Sequence, residues 1–253
     1  MITQYYRPQT LEEALQLLAR ADTRPLGGGT VLTQRSNESF SVVDLQALGL
    51  DKLRKSGDNL EIGATVTLQN LLESLYIAKA LKAAIALETP LNLRTMGTVA
   101  GTLVTCDGRS PFGTLLLALD AKITFAFGNE KITLGNYLPL RVGMNSAHPG
   151  ELITKVEIPL NAKIAFETVA RTPADKPIIC AALAQWPSGR TRLALGGWGQ
   201  APTLALDGNE SGGLEEAARN ACSEAADEWA SAEYRREVAA VLTKRCQDEI
   251  GSL

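Results

Sequence analysis

The sequence predicts a mixed α+β fold, in which helices and strands alternate irregularly along the chain. Three observations predict this class. Apolar residues recur at helical spacing near the N-terminus, short alternating segments typical of strands fill the middle, and strands followed by two helices close the chain. The 253 residues are enough for two domains of unequal size, and a boundary is predicted near Asn161.

The first predicted helix runs from Thr10 to about Arg20. Thr10 and Glu13 form the T-x-x-E pattern of a capping box, and leucines follow at helical spacing. The next stretch, R-P-L-G-G-G-T-V-L, contains three consecutive glycines that would be costly inside a helix or strand. We predict a loop whose backbone can wrap an anion, although its spacing is that of neither a Rossmann fold nor a P-loop.

A second segment of small residues opens the stretch 93–121, which closes in a leucine-rich run that predicts a buried helix. Small and hydroxylated residues let backbone amides approach a ligand closely, and phosphate is the ligand that suits such amides. A plain Gly/Thr-rich turn between two core elements is the alternative interpretation.

The remaining pattern predicts the other elements. Strands are predicted at 41–45, 59–64, 122–127, 131–134, 152–158, 178–186 and 192–196. Helices are predicted at about 67–75, 78–87, 214–229 and 231–250. The strands at 178–186 and 192–196 are expected to pair antiparallel.

Composition excludes several classes of function. The formal charge of −3 and the pI near 5.4 argue against a nucleic-acid binder. No apolar run approaches the roughly 20 residues of a membrane span, and the N-terminus lacks the apolar core of a signal peptide. We therefore expect a cytoplasmic protein.

The cysteines and the histidine predict no metal site and no nucleophile. The cysteines are scattered without a C-x-x-C motif, which argues against zinc or iron–sulfur binding within this chain, and buried free thiols are expected. The single histidine, His148, lies in a turn-like S-A-H-P-G context, so a Ser-His or Cys-His system is not predicted. We assign no catalytic residue and no metal ligand.

Several motifs in order resemble one family. These are R-P-L-G-G-G-T-V-L, V-D-L-Q-A-L, L-E-I-G-A-T-V-T-L, L-R-T-M-G-T-V-A-G-T-L, L-G-G-W-G and A-S-A-E-Y-R-R. The chain resembles the FAD-binding (medium) subunit of the molybdenum hydroxylases, of the xanthine dehydrogenase and carbon monoxide dehydrogenase type. The resemblance implies a PCMH-type FAD-binding domain at 1–160, with α/β subdomains of about 1–53 and 54–160. A small C-terminal domain of the carbon monoxide dehydrogenase flavoprotein type, with an antiparallel sheet and helices, would follow at 161–253.

The resemblance also implies the cofactor contacts. The family's A-G-G-T-D-L and T-I-G-G-N loops, which wrap the FAD pyrophosphate, match 27–32 and 98–102 here, and an apolar flavin contact matches Ile153. The FAD-binding residues implied are Gly27, Gly28, Gly29, Thr30, Val31, Leu32, Thr98, Val99, Ala100, Gly101, Thr102, Ser110 and Ile153. A side chain at Gly28 or Gly101 is expected to block the backbone approach to phosphate while leaving the fold largely intact.

The chain departs from the family pattern at Val31, Ala100, Thr102, Pro111 and Glu167. Pro111 replaces an aspartate that contacts the flavin, with Ser110 beside it. Glu167 stands where some members have a lysine, and a carboxylate there would disfavour an anionic reduced flavin.

The function implied by the resemblance is electron transfer. Electrons from a molybdenum subunit would pass through an iron–sulfur subunit to FAD on this chain, and then to NAD or another acceptor, within a heterotrimer. Two alternatives stay open: a scaffold subunit that no longer binds FAD, and a stand-alone flavoprotein of the wider PCMH-type group.

Overall fold

A computed structural model describes residues 1–35, 37–142, 152–209 and 212–252. Contacts divide the chain into two compact units. The first unit comprises Met1–Ser74, Leu91–Thr105 and Lys122–Glu157, and the second comprises Leu75–Pro90, Cys106–Ala121 and Ile158–Leu253. His148 lies outside the described residues, and the predicted domain boundary at 160/161 stays a prediction.

Strands and helices both contribute throughout the described residues, which confirms the mixed α+β class. The strands are β1 (Ile2–Tyr6), β2 (Thr23–Leu26), β3 (Phe40–Asp44), β4 (Leu53–Ser56), β5 (Asn59–Gly63), β6 (Lys122–Phe125), β7 (Lys131–Thr133), β8 (Ile153–Pro159), β9 (Lys163–Val169), β10 (Ile179–Gln185), β11 (Thr191–Gly196) and β12 (Thr203–Gly208). The helices are α1 (Leu11–Leu18), α2 (Leu68–Glu73), α3 (Lys79–Glu88), α4 (Leu91–Arg94), α5 (Val99–Thr105), α6 (Pro111–Ala118), α7 (Leu134–Val142), α8 (Leu214–Ala221) and α9 (Ala232–Ser252).

The first unit begins with a three-stranded parallel sheet in the order β1-β3-β2. Helix α1 starts at the predicted capping box, where the Thr10 hydroxyl accepts a hydrogen bond from the Glu13 amide. The apolar face of α1 packs on the sheet in a cluster of buried residues comprising Ala14, Leu17, Leu18, Val43, Leu45 and Leu152.

A five-stranded sheet in the order β4-β5-β8-β6-β7 forms the rest of the first unit's framework. The central strand β8 pairs antiparallel with β6, so that Ile153 lies opposite Phe125. Phe125 in turn contacts the ring of Tyr137 on α7, with 6.0 Å between the ring centroids. These contacts fix the strand that carries Ile153.

The second unit is built on a four-stranded antiparallel sheet in the order β12-β11-β10-β9. The predicted antiparallel pairing of residues 178–186 with 192–196 is confirmed by the pairing of β10 with β11. Helices α8 and α9 cover the sheet, and their buried residues include Leu214, Ala218, Leu242, Cys246 and Ile250. None of the helices in the described ranges is long and apolar enough to cross a membrane.

Two predictions of local structure are wrong. The helix predicted at 214–229 ends at Ala221, and the later part of that range forms a turn in which the Asp227 carboxylate accepts from the amides of Trp229 and Ala230. Residues 98–102, which match a loop of the family, instead lead into helix α5. Strands β1, β2, β4, β9 and β12 were not predicted, since none shows a clear alternating pattern.

Candidate functional site

The first unit contains a cavity of about 770 Å³. Residues from the C-terminal end of α1 through β2, both glycine-containing segments, and the start of β8 line it. Ten of the residues predicted to bind FAD lie on its wall: Gly27, Gly28, Gly29, Thr30, Val31, Leu32, Thr98, Ala100, Gly101 and Ile153. We call Gly27–Leu32 the first glycine segment and Thr98–Thr102 the second.

The first glycine segment leaves the parallel sheet at the end of β2. The strand's last carbonyl, that of Leu26, accepts a hydrogen bond from the Leu45 amide. Gly29 then adopts φ +71°, a left-handed conformation that a side chain would strain. The Gly29 carbonyl accepts hydrogen bonds from the Thr33 amide and hydroxyl, which closes a tight turn beside the cavity.

The amides of the first glycine segment are unused within the part of the chain that the structure describes. None of the backbone N–H groups from Gly27 to Leu32 donates a hydrogen bond to another described residue. Buried or partly buried amides need an acceptor, and consecutive unpaired amides in a turn form a binding site for an anion. This wall of the cavity therefore suits a phosphate group.

The second glycine segment uses its amides internally, which differs from the sequence-based expectation. Val99 donates to the Val66 carbonyl and Ala100 to the Ala64 carbonyl. The Gly101 amide donates to the Thr98 hydroxyl, and the Thr102 amide to the Thr98 carbonyl. Because these amides already have acceptors, this segment can shape a ligand site but has few backbone donors left for a phosphate.

The two segments pack directly against each other. A Cβ atom built on Gly28 would lie 1.6 Å from the Met96 carbonyl oxygen. Cβ atoms on Gly27 and on Gly101 would each lie 2.8 Å from the Thr98 hydroxyl oxygen. Glycine is thus required for the packing of the segments themselves, and a substitution at Gly28 would not leave the local fold intact as the sequence suggested.

Three of the predicted contacts do not line the cavity. Val99 is fully buried, and the Thr102 hydroxyl donates to the Thr98 carbonyl. Ser110, in the second unit, is also fully buried and caps α6, where its hydroxyl accepts from the Gly113 amide and donates to the Glu88 carboxylate at 2.7 Å. We therefore omit Ser110 from the candidate site.

The positions that depart from the family pattern have different environments. Val31 is 46% exposed at the cavity, and Ala100 lines it with only 8% exposure. Pro111 is the first residue of helix α6, a position where its missing N–H costs nothing. Glu167, on β9 of the second unit, lies 4.0 Å from Arg245.

Sequence reasoning missed several residues of the cavity wall. Arg24 lines it while pairing with Glu38 at 2.6 Å, and Arg141 lines it while donating to the carbonyls of Leu103 and Val104. Thr65 lines it as well. Arg24 and Thr65 lie within R-P-L-G-G-G-T-V-L and L-E-I-G-A-T-V-T-L, yet no motif assigned them or Arg141 to the cavity, because the three residues come together only in the folded unit.

The cysteines offer no reactive thiol. All four are buried and outside any disulfide, and burial raises the pKa of both the Cys180 and Cys222 thiols to about 12. No group of histidine, cysteine, aspartate and glutamate residues suited to a metal ion occurs within the described ranges.

The residues present fit the FAD that the sequence resemblance implies. The cavity volume lies within the range of small-molecule sites, the first glycine segment offers unpaired amides for a pyrophosphate, and Ile153, only 3% exposed, offers an apolar surface. The lining of this cavity thus combines the anion-binding amides of the first glycine segment with the apolar side chain of Ile153.

Known proteins are similar to this chain in sequence. The sequence profile of the family described as "FAD binding domain in molybdopterin dehydrogenase" matches residues 1–161. The alpha subunit of the 6-hydroxypseudooxynicotine dehydrogenase complex of Paenarthrobacter nicotinovorans is 30% identical, over 95% of this chain and 92% of that protein. The medium chain of glyceraldehyde dehydrogenase from Sulfolobus acidocaldarius is 27% identical, over 97% of each chain.

A solved structure has the same fold. A chain of the reconstituted CO dehydrogenase from Oligotropha carboxidovorans superposes with a TM-score of 0.79 and 25% sequence identity. The superposition covers 98% of this chain and 97% of that one. The likeness therefore extends over both units of the chain.

Proposed function

The chain belongs to the family of FAD-binding domains of molybdopterin dehydrogenases, and from this premise we propose that it passes electrons from the iron–sulfur clusters of a partner subunit through FAD to NAD or another acceptor. Membership confirms the resemblance found in the sequence and places the chain among the oxidoreductase subunits that bind FAD in molybdenum hydroxylases. The direction of electron flow and the acceptor are our proposal.

The unpaired amides of the first glycine segment are the observation that carries the proposal. We assign to Gly27–Leu32 the binding of the FAD pyrophosphate through backbone N–H groups, which fit phosphate without any basic side chain. Thr98 of the second segment packs against Gly27, and Met96, just before that segment, packs against Gly28. Ile153 packs against the flat flavin ring.

The protein's part in the reaction is positioning and protection. When bound, FAD supplies the ability to accept electrons from a one-electron donor and pass them to a two-electron acceptor. Ile153, at 3% exposure on a strand fixed by pairing with Phe125, excludes water from one face of the ring site. No side chain of the cavity needs to transfer a proton in this scheme.

The partners are proposed to be an iron–sulfur subunit and a molybdenum-cofactor subunit. Two of the relatives are, by name, a medium chain and a subunit of a dehydrogenase complex. The cysteines of this chain are buried and separate in sequence, so the clusters would be held by another subunit. A cytoplasmic location accords with this assembly and is likewise proposed.

A visible absorbance spectrum tests the cofactor assignment. The purified chain is incubated with FAD and desalted, and the retained flavin is quantified against protein. We expect about one flavin per chain, as one cavity of this kind predicts. A colourless protein that takes up no added FAD would contradict the proposal and support the scaffold alternative.

The electron path needs a separate experiment in the assembled complex. Substrate is added anaerobically, and bleaching of the flavin band is followed before and after NAD is supplied. Reduction of the flavin followed by reoxidation with NAD supports the path as written. A flavin that stays oxidised while the iron–sulfur clusters are reduced would contradict it.

A further inference from the structure

Thr65 presents a buried hydroxyl without a partner on the wall of the cavity. The residue is 8% exposed and lines the cavity, and its Oγ1 forms no hydrogen bond with any described residue. Leaving a hydroxyl buried and unpaired is unfavourable, because it loses its hydrogen bonds to water without replacement. Such a group at a ligand cavity points to a partner supplied by the ligand.

The backbone around Thr65 is held on every side. Its amide donates to the Leu50 carbonyl, and the neighbouring Ala64 donates to the Thr154 carbonyl and accepts from Ala100. The Val66 amide donates to the Gly63 carbonyl. The position of Thr65 is therefore fixed by β5, β8 and α5 together, and the main freedom left to it is rotation about the Cα–Cβ bond.

That rotation is accessible to threonine. The hydroxyl oxygen exposes less than 1 Å², so the residue meets the cavity through its other atoms. A turn of about 120° around this bond moves the hydroxyl to another staggered position, and threonine populates more than one such rotamer. In one direction of rotation the methyl group, which is similar in size, takes the buried position that the hydroxyl leaves.

We propose that the Thr65 hydroxyl turns into the cavity on FAD binding and donates a hydrogen bond to the flavin portion of the cofactor. The inference rests on the proposed function. The flavin portion is chosen because the Ala64–Thr154 and Ala64–Ala100 hydrogen bonds place Thr65 on the part of the wall that carries Ile153 and Ala100. The unpaired amides for the pyrophosphate belong to the first glycine segment instead.

The chain offers a matched control for this residue. Thr124, on β6 of the same unit, is 7% exposed, and its hydroxyl also lacks a hydrogen-bond partner among the described residues. Thr124 does not line the cavity. The Thr124→Val variant therefore removes an equivalent hydroxyl from a place that the ligand does not reach.

The experiment compares FAD affinity and apoprotein stability in the full chain. Fluorescence titration of wild type, Thr65→Val, Thr65→Ser and Thr124→Val with FAD gives the dissociation constants, and ADP serves as a probe of the adenine and pyrophosphate part alone. We expect Thr65→Val to bind FAD about three- to tenfold more weakly, the effect of one hydrogen bond, with ADP affinity unchanged. Thr65→Ser and Thr124→Val should bind FAD like wild type.

Thermal unfolding of the apoproteins separates a ligand contact from a structural role. Without a partner to lose, Thr65→Val should unfold at the same temperature as wild type or above it. If Thr65→Val does not fold, Thr65→Ala replaces it in the titration. Wild-type FAD affinity in Thr65→Val, or equal losses for FAD and ADP, would overturn the role of Thr65 alone. A wild-type chain that binds no FAD would overturn the proposed function as well.

Discussion

The side-chain donors of Arg235 and the backbone donors of the first glycine segment differ in whether they have acceptors. Arg235 is fully buried, and its guanidinium donates to the carbonyls of Ile178, Ala225, Ala230 and Gly197 and to the Asp227 carboxylate. The amides of Gly27–Leu32, at a cavity, donate to no described residue. Both belong to motifs that support the same family resemblance.

This difference distinguishes donors that stabilise the fold from donors that are available to a ligand. Satisfied buried donors hold together segments distant in sequence, as Arg235 does for β10, the turn after β11 and the segment before α9. Donors without acceptors among the described residues beside a cavity are available to a ligand. A family motif alone does not reveal which of these roles it has.

The largest expected effect is on Arg235. Replacing it with methionine in Arg235→Met leaves Asp227 and several carbonyls without their donor, which should lower the free energy of unfolding by about 3 kcal/mol. Chemical denaturation measures this loss, and the exposed neighbour Arg236→Met is the control. FAD affinity of the folded protein should be unchanged. If Arg235→Met is as stable as Arg236→Met, the buried hydrogen bonds of Arg235 do not stabilise the fold.

The next effect is expected at Gly28. The Cβ of Gly28→Ala would lie 1.6 Å from the Met96 carbonyl oxygen, so the first glycine segment must move away from the backbone that leads into the second. We expect a loss of about 2 kcal/mol in stability and at least about tenfold in FAD affinity. Gly251→Ala, on α9 with open space around it, is the control. A Gly28→Ala variant with normal FAD binding would show that the packing of the segments does not matter for the site.

A smaller effect is expected at Thr98. Its hydroxyl accepts from the Gly101 amide at the start of α5, at 3.1 Å. Thr98→Val should cost about 1 kcal/mol, as the loss of a helix cap does, and Thr98→Ser should restore it. The comparison is made by denaturant titration. If Thr98→Ser is as unstable as Thr98→Val, the hydroxyl is not the group that matters.

The smallest effect concerns pH and Glu88 in the second unit. Burial raises the pKa of this carboxyl, against the hydrogen bonds from the Phe112 amide and the Ser110 hydroxyl. The folded protein therefore binds this proton more tightly than the unfolded chain, and the contribution to stability is complete below the ordinary glutamate pKa and lost as pH rises through the raised value. Glu88→Gln should gain stability relative to wild type as the pH rises above the ordinary glutamate pKa. If the stabilities of wild type and Glu88→Gln change with pH in parallel, the raised pKa of Glu88 is contradicted.

The sequence predicted what depends on local pattern. The capping box at Thr10, the buried α6 and the antiparallel β10–β11 pair follow from spacing within a few residues. The first glycine segment was found because three consecutive glycines stand within an ordered set of motifs that resembles one family. Its unpaired amides fit the anion site expected there.

Other parts of the site depend on tertiary contacts that no local pattern encodes. Residues 98–102 matched a loop of the family, and glycine, valine and threonine favour helices only weakly, yet hydrogen bonds to the Val66 and Ala64 carbonyls hold this segment at the start of α5. Ser110 was placed at the flavin because it lies beside Pro111, where the family has an aspartate, whereas its hydroxyl binds Glu88, which lies 22 positions away in sequence. Thr65 lies within L-E-I-G-A-T-V-T-L, but that motif assigned no ligand contact to its hydroxyl.

Hydrogen exchange at single-residue resolution, measured with and without FAD, is the most direct test of pyrophosphate binding by the amides of the first glycine segment. We expect FAD to slow exchange at the amides of Gly27–Leu32, which have no acceptor among the described residues of the apoprotein. The amides of Ala100 and Gly101, already bonded to Ala64 and Thr98, should change far less. Bound FAD with unaltered exchange across Gly27–Leu32 would contradict the assignment of the pyrophosphate to the first glycine segment.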